Sequence, residues 1–284
     1  MRTWHRVQRH DSWPPVRHPE YMVTVDVSGQ LIAAEKVDGA DPPVVLVAQL
    51  GTAGSDWYPV IDHLATGTTV VTYDRPGIGQ SPPRPAPNPD LPYSAHAEEL
   101  AGLLDGLGVT QPVVLVGHSI GSLIARLFAH RYPQRVAGMV HVDGSSIAMQ
   151  PWPDLPPEFQ TEWRDGEGPA ATRFDIPAGR DEVTKARSPV VPRIVLVRTQ
   201  RNVPAEHYTD AGEQRWQEEQ ALLAERTGAA LIVALDASHM LPRDAPALVA
   251  YAVDEVVRAA REGHFTVELD RDRLAEVGGQ TARG

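Results

Sequence analysis

Cysteine is missing from all 284 residues of this chain. That single absence removes disulfide frameworks, thiolate nucleophiles and cysteine-based metal sites together. Long apolar runs are missing too: none approaches the length of a membrane span. The first thirty residues lack the apolar core of a signal peptide, so the cytosol is the expected compartment and no membrane partner is expected. Positive charge is in short supply. The 26 Lys and Arg stand against 37 Asp and Glu, for a formal net charge of −11. No basic cluster runs beyond a few residues, which argues against nucleic acid as a partner. A His-Glu-x-x-His helix and a phosphate-binding Gly-x-x-x-x-Gly-Lys loop are both absent. Gly77-Ile78-Gly79 lacks the third glycine of a dinucleotide fingerprint. Neither a metal nor an organic cofactor is therefore expected.

What is present has the balance of a globular protein, 42% hydrophobic and 22% charged, and enough length for one large core with a small insertion. Residues 1–20 read as a solvated arm. Tyr21 to Val27 and Leu31 to Val37 flank Ser28-Gly29-Gln30 as a β-hairpin. Short apolar strands follow at Val44–Ala48, Thr68–Tyr73, Pro112–Val116, Val136–Val142, Ile194–Val197 and Ala230–Leu235. Helical periodicity covers Trp57–Leu64, Ser94–Leu107, the stretch after Ser119, Glu213–Arg226 and Pro246–Arg261. Alternation of this kind predicts an α/β fold with a mostly parallel, doubly wound sheet of about eight strands. Residues 21–144 and 191–262 form the expected core. Residues 145–190, rich in Pro and poor in periodicity, leave from the carboxyl end of a strand, where a lid is built. The polar tail 263–284 is expected to be partly disordered.

The most informative stretch is Gly117-His118-Ser119-Ile120-Gly121. A buried strand precedes it, and Leu123, Ile124, Leu127 and Phe128 continue at helical spacing until Tyr132-Pro133. A G-x-S-x-G turn between strand and helix is a nucleophile elbow, in which flanking glycines let the backbones approach closely. The serine hydroxyl then stands at the sheet edge, in front of the positive end of a helix.

With Tyr73-Asp74-Arg75-Pro76-Gly77-Ile78-Gly79-Gln80-Ser81 and the late Ser238-His239, this elbow resembles that of the α/β-hydrolase superfamily. The similarity is to the cap-bearing branch with esterases, haloperoxidase-like proteins and C–C hydrolases, and it covers roughly residues 20–262. It implies Ser119 as nucleophile and, among eleven histidines, His239 as base, since it follows the last core strand. His118 is implied to shape the site, while His141 reads as a hydrogen-bonded core residue. The family's usual acid position, after Ile194–Val197, holds no carboxylate here. Some relatives place the acid one strand earlier, where Asp143 stands; its other reading is a turn aspartate before Gly144. Glu206 and Asp210 are fallback acids, and Asp236 is too near His239 along the backbone.

The same resemblance implies an oxyanion hole from the N–H groups of Ile120 and Leu50, with Thr52 as the alternative to Leu50. Gln49 occupies a place where relatives keep glycine; its side chain either turns away or enters the pocket. Trp152 and Trp163, with Met149, Phe159 and Phe174, line an apolar pocket or form the lid's own core. The implied activity is a cofactor-independent serine hydrolase acting on an ester, thioester or lactone of a small acyl compound. C–C bond cleavage, rearrangement and non-catalytic ligand binding on the same fold stay open. Dehalogenase and epoxide hydrolase chemistry would need Asp at position 119.

Overall fold

A computed structural model describes residues 22–65, 67–85, 89–146, 173–200 and 210–282. Two antiparallel strands, β1 (Met22–Val27) and β2 (Gln30–Val37), open the chain. Ser28 and Gly29 turn between them with φ of 53° and 89°, the double positive φ that a two-residue hairpin loop requires. Strand β3 (Ala40–Val47) leads through a 3₁₀ turn at Gly54–Trp57 into the short helix α1 (Tyr58–Ile61), then β4 (Thr68–Tyr73). Helix α2 (Tyr93–Gly106), strand β5 (Val113–His118), helix α3 (Ile120–Arg131) and strand β6 (Val136–Val142) follow. The second half holds α4 (Ile176–Lys185), β7 (Arg193–Arg198), α5 (Asp210–Thr227), β8 (Ala230–Ala234), α6 (Leu241–Asp244) and α7 (Pro246–Arg261). It ends in α8 (Arg271–Glu276) and β9 (Gly279–Thr281).

The nine strands of the described residues form one sheet in the order β1-β2-β4-β3-β5-β6-β7-β8-β9. From β4 to β8 every pairing is parallel, and antiparallel strands close both edges. The central strands are buried on both faces, which is why they read as unbroken apolar runs. In β5, Val113 and Leu115 face a core with α2 and α3, while Val114 and Val116 face one with α7. The two apolar layers thus hold β5 and β6 rigidly, with their carboxyl ends side by side.

Three expectations need correction. The Trp57–Leu64 helix is only one turn of α1 after a 3₁₀ turn. Phe174 belongs to the main core, against Tyr93 and His96, and not to a core of the lid's own. The tail is folded: Leu274 is buried, and β9 pairs with β8 as a ninth strand. Three residues of a strand that carries Gln and Thr leave too little apolar pattern to read.

Candidate active site

Ser119 stands between β5 and α3 with φ 52° and ψ −121°, a strained conformation for a residue with a side chain. The neighbouring chain fixes it. Its N–H donates to the carbonyl of Val142 at 3.1 Å, and its carbonyl accepts from the N–H groups of Ser122 and Ser145, both at 3.0 Å. The glycines on either side are needed for space. A Cβ on Gly121 would lie 2.3 Å from the Val47 carbonyl oxygen, and one on Gly117 2.6 Å from the backbone of Gly121 and Ser122. Ser119 Oγ lies 3.3 Å from Ser145 Oγ. The N–H of Ile120 falls in the first turn of α3, where amides have no intrahelical acceptor.

One strand over, Asp143 follows β6 and is fully buried. His239 comes from the loop after β8, and its Nδ1 lies 2.5 Å from Asp143 Oδ2. An ionised carboxylate only accepts, so Nδ1 is the donor in this contact. Three further donors meet the same carboxylate. The Arg198 guanidinium donates to Oδ2 at 2.7 Å, the Arg198 N–H to Oδ1 at 3.2 Å and the Trp216 indole N–H to Oδ1 at 2.8 Å. Burial alone would raise the pKa of Asp143, but His239, Arg198 and Trp216 outweigh it and hold the carboxyl down to about 2. Arg198 also pairs with Glu213 at 2.8 Å and lies 4.5 Å from the Trp216 ring centroid.

Gln49 is buried, and its amide donates to Met240 Sδ at 3.2 Å, beside His239. The carbonyls of Ala48 and Gln49 both accept from Arg75, which draws the chain leading to Leu50 against the sheet. Leu50 packs on the α2–α3 core. Thr52 Oγ1 is buried without a hydrogen-bond partner. Asp74, just before Arg75, accepts from the N–H groups of Gly54 and Gln80, so the loop motif has a structural task.

His118 Nε2 donates to the carbonyl of His239 at 2.7 Å, which ties the His239 loop to β5. Burial and the nearby His239 lower its pKa from 6.5 to about 3. Between those values the unfolded chain takes up a proton that the folded chain refuses. Stability from this group is therefore complete above the unfolded value and is lost as pH falls, by up to about 1.4 kcal/mol per pH unit. Between about pH 7 and about pH 5, wild type should lose about 2 kcal/mol more than His118→Gln in urea unfolding. Parallel pH curves for the two proteins would contradict this role.

Of the residues singled out in the sequence, Gln49, Leu50, Ser119, Asp143 and His239 lie on the turns and loops that follow β3, β5, β6 and β8, while His118 ends β5 and Ile120 begins α3. Trp152, Trp163, Met149, Phe159 and Glu206 lie outside the described residues. Asp210 begins α5, and Asp236 turns the chain after β8 with φ 54°. Sequence reasoning missed Arg198, Trp216 and Arg75 as parts of the site. The available signal was Arg198 itself, a charge ending an apolar strand that calls for a buried acidic partner. Among the described residues, no cluster of His, Asp and Glu could hold a metal, and no helix is long and apolar enough to cross a membrane.

A doubly wound sheet with a strained serine before a helix and an Asp–His pair beside it defines a hydrolase-type α/β architecture. The profile of the alpha/beta hydrolase fold matches residues 42–265, and the chain belongs to that family. It is 27% identical to YqjL of Bacillus subtilis over 220 residues, 76% of this chain and 84% of that protein. Mb2734 of Mycobacterium bovis is 32% identical over 114 residues, 40% of this chain, and the match spans only 32% of that protein's length. Among solved structures, a thermophilic esterase from Thermogutta terrifontis superposes with a TM-score of 0.59 at 22% identity, over 84% of this chain and 98% of that one. At that identity the likeness speaks for the fold.

Proposed function

We propose that this protein is a cofactor-independent serine hydrolase that cleaves a carboxylic ester, thioester or lactone through an acyl-enzyme. Ser119 Oγ attacks the carbonyl carbon as its proton passes to His239 Nε2. The oxyanion is held by the N–H groups of Ile120 and Leu50. His239 then returns the proton to the leaving oxygen or sulfur, and the C–O or C–S bond breaks. Water repeats the sequence: it loses a proton to His239, its oxygen joins the acyl carbon, and Ser119 leaves with the proton. Asp143 keeps His239 in the tautomer that this needs and balances the transient imidazolium.

The observation that carries the reading is the 2.5 Å contact between His239 Nδ1 and the buried Asp143 carboxylate, one strand from a serine strained to φ 52°. A fluorophosphonate should label wild type once, at Ser119, and intact-mass analysis should find Ser119→Ala unmodified. Labelling that persists in Ser119→Ala removes the assignment. Turnover of nitrophenyl esters, thioesters and lactones then ranks the electrophile.

A further inference from the structure

A cavity of about 560 Å³ lies between α3 and α5, roofed by α4 and the segment before β7. It reaches Ser145, whose hydroxyl is 3.3 Å from that of Ser119. Its walls are in part apolar, from Val183, Val191 and Leu223, yet three arginines line it against one carboxylate, Glu219. Arg193 is only 2% exposed, and its Nε is buried without a partner. Among the described residues the rest of that guanidinium meets only neutral acceptors: the carbonyls of Thr227 and Pro189 and the Met139 sulfur. Gln220, 1% exposed, also leaves its side-chain oxygen unpartnered. Among the described residues nothing accepts a hydrogen bond from Arg126, and the one lining carboxylate is already engaged by Ser146. Burial and the neighbouring Arg226 outweigh Glu219 and lower the pKa of Arg126 to about 10, and burial with Arg126 lowers that of Arg193 to the same value. Arg126 thus repels the buried Arg193 and the exposed Arg226, while Arg126 and Arg193 remain charged near neutral pH. Unpaired buried cations are costly, and a bound anion removes that cost.

Position relates the cavity to the proposed nucleophile. Arg126 follows Ser119 by seven residues, two turns along the same side of α3, or about 10 Å. We infer that this cavity receives the carboxylate end of the substrate, so that the acyl group is the half-ester of a dicarboxylic acid, its chain lying against the apolar wall and its anion on Arg126 and Arg193. This rests on the serine hydrolase reading.

The test compares the nitrophenyl half-ester of octanedioic acid with nitrophenyl octanoate, which has the same length without the charge. Wild type should favour the charged ester in kcat/KM by about tenfold or more. Arg126→Gln should erase that ratio, chiefly through KM, and Arg126→Lys should restore part of it. Arg226→Gln at the exposed rim gives a second, milder variant if Arg126→Gln fails to fold. Arg131→Gln, on the outer surface of the same helix, should keep the wild-type ratio. Octanedioate binding by calorimetry separates the two readings. If neither ester turns over but octanedioate binds and Arg126→Gln abolishes binding, the hydrolase reading falls and the anion site stands. Turnover of both esters with no preference for the charged one, and no octanedioate binding, overturns the anion site.

Discussion

Replacing Asp143 by Asn is expected to lower kcat for ester hydrolysis by about four orders of magnitude, with the fold retained. The reason lies in the donors around that side chain. Oδ1 accepts from the Trp216 indole and the Arg198 N–H, and Oδ2 accepts from the Arg198 guanidinium and His239 Nδ1. Asparagine has one acceptor oxygen, and two fixed backbone and indole donors claim it. Its amide nitrogen must then face His239, which turns that Nδ1 into an acceptor and moves the imidazole proton to Nε2. A histidine in that tautomer cannot take the proton of Ser119. Steady-state kinetics, with circular dichroism to establish folding, decide the matter. A loss below about tenfold in a folded Asp143→Asn protein would move the orienting role to another carboxylate.

Part of this arrangement could be read before any coordinates. Gly117 and Gly121 were readable because a strand-to-helix turn leaves no room for a Cβ at either place, and the structure puts backbone 2.6 Å and 2.3 Å from those points. Strands β5 and β6 were readable because burial on both faces leaves unbroken apolar runs. Asp143 could be named by its place after β6, but its partners could not. Arg198, Trp216 and His239 come from β7, α5 and the loop after β8, and only the parallel register of β6 with β7 brings the first of them to the carboxylate. Contacts across elements leave no local period in a sequence. Gln49 shows the same limit: the residue type was informative, but whether its amide reached Met240 or solvent depended on packing.

Arg198→Met should cost about 3 to 5 kcal/mol of folding stability, the largest loss expected from a single exchange that leaves the hydrophobic core intact. The guanidinium sits between two acids, Asp143 with its side chain fully buried and Glu213 at 16% exposure, and donates to both. Methionine fills much of the same volume but leaves Asp143 ionised and short of a cation. The pH dependence follows from the same contact. The folded pKa of Asp143 is depressed to about 2, so its contribution is present above the unfolded value near 3.9 and is lost as pH falls through about 2. Removing Arg198 takes away one of the causes of that depression, and the acid side of the stability curve should retreat to higher pH. A double-mutant cycle isolates the charge pair. Once Asp143→Asn has neutralised the carboxylate, adding Arg198→Met should cost less than it does in wild type, with a coupling of about 2 kcal/mol in urea unfolding. Additive losses would mean that Arg198 stabilises the fold through Glu213 and Trp216 alone, and that the acidity of Asp143 is set by His239 and the indole without it.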